Sequence, residues 1–423
     1  MFFNTKYGID TVRLFSIMLL RIWKIILLVV IPEVLLEVKF EYKRIYNMVD
    51  RKEFAELLYG TIINSTNSKE NAFEKLSKIR GWLLANTPKR LFRFRRCNEY
   101  SIEALKEDQI WGTSIWEFND PYECVPCYNF ETLWGKITQS LESQKFFQLI
   151  NVLKEGGILP EIKRAYPSID IEQMIKNIPD VIDEKDVKEK LDILKKYLSI
   201  FIGTSFEEMV HRFYIGIQAE EAQKQIACFS EQNNSTLMWG HYADSHKGFC
   251  LEYDFQSILK ECTQNCIDIR CCNNFMLNYS LAPIIYTKER FDATAYFSTV
   301  MQALLYEKNQ IPMDLYYEDI LIVSKCMLTK SIDWEYENEW RLFTPNFNDE
   351  YKPYRKIASL RPVALYMGAK ITKENESVLY EVCKNKGIKC FKMLQDFHGK
   401  EFIVRAEPYE KIIDVVNSNF HDK

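Results

Sequence analysis

No glycine-rich phosphate loop, no Gly-x-Ser-x-Gly elbow and no His-Glu-x-x-His helix occurs in the 423 residues. The sequence therefore gives no support to nucleoside triphosphatase, serine hydrolase or zinc protease chemistry. Internal repeats and low-complexity tracts are also missing. A formal net charge of −4 provides no global basic field, so stable nucleic-acid binding is not expected. An uninterrupted membrane-length run is lacking too. The apolar stretch from Leu14 to Leu36 is broken by Arg21, Lys24, Pro32 and Glu33. Its longest clean piece, Ile25 to Ile31, falls far short of the roughly 20 residues a spanning helix needs.

What is present is a chain able to fold. Hydrophobic residues make up 47% and aromatics 14%, enough apolar surface to offset chain entropy. The length suits one elaborated domain or two closely packed ones. The 12 cysteines are scattered, with Cys271 and Cys272 adjacent, a pattern that suits reduced thiols and a cytoplasmic setting. Cys124 and Cys127 form a Cys-x-x-Cys pair, followed far downstream by Cys262, Cys266, Cys271 and Cys272. Their irregular spacing does not match a structural zinc site, and no metal is expected. Residues 1–47 form an apolar extension, and Met48 is the expected true start because an ordinary polar helix opens there. The rival reading of this cationic, Trp-bearing extension is an amphipathic helix lying on a membrane surface.

Periodicity divides the rest. Phe54, Leu57, Leu58 and Ile62, then Phe73, Leu76, Ile79 and Leu83, keep helical spacing and define a helical preface over 48–87. After Pro88 the period becomes two, and Leu91, Arg93 and Arg95 alternate with Phe92, Phe94 and Arg96 as on a strand. Ser101 is expected to cap a short helix ending near Gln109, with a strand at Ile110 to Ser114 behind it. A helical insertion is expected at about 131–225. Strands are expected to return at Ile226–Ser230, Gly248–Tyr253 and Pro283–Tyr286, and helices from Lys288 to about Lys330. Strands at Glu339–Phe343, Val363–Met367, Lys389–Lys392 and Phe402–Arg405 complete a main domain over 88–410, with a helix near Asn375 to Asn385 and a tail over 411–423. The predicted class is α+β, a mixed and largely antiparallel sheet system with a helical insertion and a helical preface.

Several segments fall in a recognisable order: Leu91-Phe92-Arg93-Phe94-Arg95, Phe118-Asn119-Asp120-Pro121-Tyr122-Glu123, Cys228-Phe229-Ser230-Glu231, Met238-Trp239-Gly240-His241-Tyr242-Ala243-Asp244, His246 to Tyr253, Trp334 to Arg341, and Tyr366-Met367-Gly368. From Lys89 to Glu407 the chain resembles a bacterial family catalogued as domain of unknown function 2971. Arg93 stands where that family often has lysine, and the segment Cys262–Cys272 looks like a local addition. More distantly, the order of motifs resembles the layout of ADP-ribosyltransferases. That resemblance implies an NAD-consuming enzyme, a bacterial toxin or phage-defence effector, with NAD as substrate and a macromolecular acceptor. Glu337 and Glu339 would be the catalytic carboxylates. Arg93, Arg95, Trp239, Tyr242, Ser230, Asn119 and Asp120 would bind the dinucleotide. Such enzymes need a cation for pyrophosphate, an aromatic face for nicotinamide and a carboxylate for ribose.

Each residue also has a plainer reading. Arg93 and Arg95 suit a solvated strand face, and Trp239, Tyr242 and Phe249 suit core packing. Glu337, Glu339 and Arg341 suit a salt-bridge ladder, Asn119 and Asp120 before Pro121 suit a turn, and His241 and His246 lack partners at metal-ligand spacing. The alternative function is a non-catalytic recognition module. A cleft joining an arginine of the first strand to Tyr242 and Glu339 would favour the enzyme, and separate burial would favour the module.

Overall fold

The computed structural model describes residues 49–64, 66–129, 131–133, 225–257, 280–298, 319–344, 352–400 and 402–413. The expected extension over 1–47, nearly all of the helical insertion, the cysteines from Cys262 to Cys272 and most of the tail lie outside these residues.

Strands β1 (Arg90–Arg95), β2 (Gln109–Thr113), β3 (Gln225–Ser230), β4 (Phe249–Asp254), β5 (Leu281–Pro283), β6 (Ile285–Thr287), β7 (Thr329–Ser331), β8 (Glu339–Thr344), β9 (Tyr354–Ser359), β10 (Ala364–Met367), β11 (Lys389–Gln395) and β12 (Val404–Pro408) carry the described fold. Ten of them form one sheet in the order β12-β11-β10-β4-β1-β3-β2-β9, with β8 also on β3 and β5 on β8. Within it β10 and β11 run parallel and every other described pairing is antiparallel. The separate pair β6 and β7 is parallel. This is the expected α+β class with a mixed, largely antiparallel sheet.

Among the described helices are α1 (Arg51–Gly60), α2 (Lys69–Asn86), α3 (Glu99–Lys106), α4 (Thr236–Tyr242), α5 (Ile322–Met327) and α6 (Lys373–Lys386). Side-chain caps set the starts of all of these but α5, since a helix leaves its first amide groups without backbone acceptors. Asp50 accepts from the amide of Glu53 at 3.0 Å, Ser68 from Asn71 at 3.2 Å and Thr372 from Asn375 at 3.3 Å. The cap of α3 is Asn98, whose Oδ1 accepts from the amide of Ser101 at 2.9 Å. Ser101 is thus inside the helix and buried, because an Asn one turn upstream takes the amide first. The stretch expected to be helical up to Lys330 instead ends in β7, where Thr329 and Lys330 pair with Ile285 and Tyr286.

Register sorts the side chains of the large sheet onto two faces. Leu91, Phe229, Leu251, Tyr253, Trp340, Leu342 and Leu365 share one apolar cluster with Leu105 of α3. Phe92, Phe94, Cys250, Ala364 and Tyr366 share another with Met238 and Trp239 of α4. Two glycines allow close backbone approach beside α4: a Cβ on Gly248 would collide with the carbonyl of Arg95, and one on Gly368 with the carbonyl of His246. The preface helix α1 packs Phe54 and Leu58 against Ile284, Ile285 and Leu328.

Candidate functional site

Phe92 pairs with Ser230, and Ser230 with Glu339. Pairing partners share a face, so Glu339, Arg341, Cys228 and Ser230 lie on the side of Phe92 and α4. Five charged side chains meet there, all nearly out of contact with solvent. The Lys330 Nζ lies 2.6 Å from Oε2 of Glu337, 3.0 Å from Oε2 of Glu339 and 3.5 Å from Oε2 of Glu123. Arg341 reaches Glu339 Oε1 through Nε at 2.8 Å and Glu123 Oε1 through Nη2 at 2.5 Å. It also donates to the carbonyl of Met327 at 2.8 Å. Three carboxylates against two cations leave one negative charge in excess when all are ionised.

The excess falls on Glu337. Burial and the neighbouring Glu339 push its carboxyl up to about 7, against the opposing pull of Lys330 and Tyr242. For Glu339, burial also works toward the neutral form, but Arg341 and Lys330 overcome it and hold the group well below the usual carboxylate range. Lys330 is disfavoured as a cation by burial, and Glu339, Glu123 and Glu337 more than restore its charge. Two carboxyls on either side of the turn at Asn338 therefore differ in charge: Glu339 is held as an anion, and Glu337 is pushed toward holding a proton.

A rim of partly exposed rings surrounds this buried pair. Tyr242 donates to Glu337 Oε1 at 2.5 Å and also bonds the side chain of Asn119. The Tyr336 hydroxyl meets His241 Nδ1 at 2.9 Å, and Trp334 lies with its ring 5.1 Å from the Lys330 ammonium. Behind the cluster, the amide of Glu339 donates to the hydroxyl of Tyr286 at 2.8 Å. Asn338, between the two glutamates, takes a left-handed φ of 46°, and this turn between the 3₁₀ segment Ile332–Glu337 and β8 brings both side chains to Lys330.

The sequence-predicted residues separate into three groups. Glu337, Glu339, Tyr242 and Asn119 come together. Ser230 joins them as a support, its hydroxyl donating to the carbonyl of Glu337 at 2.6 Å. Asp120 shapes the preceding turn, accepting from the amide of Tyr122 at 2.8 Å. Trp239 is buried in the core, its indole held by the carbonyl of Asn233 at 2.6 Å and its ring edge-on to Phe94. Arg93 and Arg95 alternate with Phe92 and Phe94 and so point to the opposite face, where Arg93 lies over the ring of Phe229. The sheet stands between them and Glu339.

Glu123, Lys330 and Tyr336 were not among the predicted site residues. Glu123 closes the Phe118–Glu123 motif and Tyr336 lies in the Trp334–Arg341 motif, so both belong to segments that carry the family resemblance. Lys330 had no signal beyond being a charge beside an apolar stretch. The pair Cys124 and Cys127 does not converge: Cys124 touches Arg341 Nη1 at 3.5 Å, and Cys127 contacts the carbonyl of Arg290 at 3.5 Å.

No curated protein and no solved structure matches the chain. Residues 238–342 match the model of a family described as Protein of unknown function (DUF2971). This stretch carries Trp239, Tyr242, Lys330, Glu337, Glu339 and Arg341, and over it the chain is similar to the DUF2971 proteins, as its motifs indicated.

Proposed function

We propose that the chain is an NAD-consuming, ADP-ribosyltransferase-like enzyme in which Glu337 is the working carboxylate and Glu339 the anchoring one. The observation that carries this reading is the contrast between the two glutamates. A carboxyl poised near neutral pH beside Tyr242 can bond a ribose hydroxyl, and when ionised can stabilise the positive charge that grows as nicotinamide leaves with the electrons of the glycosidic bond. It can also accept the proton released when an acceptor nucleophile attacks. Glu339, already tied to Arg341 and Lys330, would hold Lys330 and thereby Glu337 in place. Tyr242, Tyr336 and Trp334 offer ring faces for a planar base. Action on a macromolecular acceptor, as in a toxin or phage-defence effector, would follow from this chemistry.

A second reading, the non-catalytic recognition module, is favoured by one specific observation. The sheet separates Arg93 and Arg95 from Glu337, so these arginines are not the pyrophosphate clamp of the carboxylate site. Incubation with labelled NAD decides between the two. The enzyme reading expects label transfer or nicotinamide release by the parent chain. It also expects Glu337→Gln to keep the fold and the binding of NAD while losing turnover by at least about a hundredfold, in the range typical of an acid–base group. Absence of NAD binding at millimolar concentration, or full turnover in Glu337→Gln, would leave the recognition module as the account.

A further inference from the structure

We propose that Arg93 and Arg95 form a second, independent site on the sheet face turned away from Glu337, and that its ligand is a phosphoryl group. Five basic residues are buried among the described residues: Arg93, Lys325, Lys330, Arg341 and Lys392. Four of them have carboxylate partners: Asp319 for Lys325, Glu376 for Lys392, and the cluster of Glu123, Glu337 and Glu339 for Lys330 and Arg341. Arg93, only 7% exposed, has none among the described residues. Among the described residues its guanidinium donates to the carbonyl of Trp111 and lies 5.7 Å from the ring centre of Phe229. The side chain of Arg95, two residues along the same strand face, has neither an ion pair nor a hydrogen bond to any described residue.

A buried charge without a counter-charge is costly, and two like charges side by side increase the cost. Burial and then the neighbouring Arg95 lower Arg93 to about 10, and burial lowers Arg95. An anion seated between them would relieve both effects. The space they line with Ser101, Gln109, Trp111 and Tyr253 has room for about 10 Å³, about that of one water. One ligand oxygen fits inside, and the rest of the group must lie at the mouth, where Arg95 and Trp111 are partly exposed. That geometry selects a terminal phosphoryl group over a whole nucleotide. A phosphoryl dianion also balances two guanidinium charges, whereas a carboxylate would leave one unbalanced.

The test is titration calorimetry on the full chain at low ionic strength, with inorganic phosphate in one arm and AMP in the other. Binding of phosphate by the parent chain, weakened at least about tenfold in Arg95→Ala, supports the site. Arg95 is partly exposed, so its loss is compatible with folding. Arg95→Lys, which keeps the charge and loses the planar fork, should bind more weakly than the parent and more tightly than Arg95→Ala. AMP binding that phosphate displaces would identify a phosphomonoester as the source, and binding of phosphate alone would identify the free ion. Glu337→Gln should bind phosphate as the parent does, so failure of the carboxylate reading leaves this site standing. Absence of binding in both arms, or equal binding by Arg95→Ala and the parent, would overturn the proposal.

Discussion

At Glu337 the folded chain retains a proton that the unfolded chain has released between the ordinary 4.5 and about 7. Its contribution to stability therefore falls as pH rises through that window, by at most about 1.4 kcal/mol per pH unit. Glu339 has the opposite sign: its depressed carboxyl stabilises the fold above the ordinary range and loses that effect as pH falls toward the depressed value. Glu337→Gln should accordingly flatten the decline between pH 4.5 and 7, measured by denaturant unfolding across that range. An unchanged slope would place the proton on another member of the cluster. Arg341→Met probes the other side of the balance. It leaves Lys330 as the one described cation facing Glu123, Glu337 and Glu339, and the expected loss is about 3–5 kcal/mol, the range for breaking one side of a buried ion pair. The carboxylate half of this site was legible in the sequence because Glu337, Glu339 and Arg341 alternate along one short segment. Lys330 and Glu123 were not. They reach the cluster through the pairing of β7 with β6 and through contacts with residues far along the chain, and no local spacing encodes such pairings.

Among the elements, β1, β4, β8, β10 and β11, each with an apolar face, lie where the sequence pattern puts them, whereas the expected strand Pro283–Tyr286 divides into β5 and β6, which join different sheets, and β9 carries too little apolar surface to be expected. The β1 and β4 pattern follows from Leu91, Phe92 and Phe94 and from Phe249 to Tyr253, all buried. By contrast, β9 presents Tyr354, Arg355, Lys356, Ile357, Ala358 and Ser359 with only Ala358 fully buried. As the end strand of the pairing order it has one sheet neighbour and needs little apolar surface. Likewise β7 has three residues, too few for any period to show. Alternation also placed Arg93 and Arg95 on one face, but which face held the carboxylates depended on the register of β3 between β1 and β8. At Gly248 the close approach of β1 to the turn after α4 makes a testable demand. Gly248→Ala would drive a methyl group into the carbonyl of Arg95. The expected cost is about 1–3 kcal/mol, as for other overpacked sites, and thermal unfolding should report it. Gly387→Ala separates steric from conformational demand. Nothing crowds that position, but its φ of 62° is a left-handed cap conformation costing a non-glycine residue about 1 kcal/mol.

For the molecule as a whole, the helical preface and the sheet form a joined structure, and the joint lies against the candidate site. Arg51 of α1 forms an ion pair with Glu231 at 2.7 Å and donates to the carbonyl of Ile284 at 3.2 Å. The same Glu231 oxygen accepts from the indole of Trp340 at 2.8 Å. Arg51 also lies over the ring of Tyr286, whose hydroxyl accepts the amide of Glu339. The apolar side of α1 adds Phe54, fully buried and stacked on Trp82 of α2 with ring centres 4.8 Å apart. These contacts predict different outcomes for two truncations. A chain beginning at Met48 keeps Asp50, Arg51 and all of α1, and should unfold at the temperature of the full chain. A chain beginning at Thr61 loses the charged bonds of Arg51, each worth about 1.5–3 kcal/mol when partly buried, together with the burial of Phe54 and Leu58. It should unfold well below the parent. Arg51→Ala within the full chain isolates the polar part of that loss and should lower stability by at least about 1.5–3 kcal/mol. Equal unfolding temperatures for the chains beginning at Met48 and Thr61 would make α1 an accessory. A loss on truncation with no loss in Arg51→Ala would assign the joint to apolar packing alone.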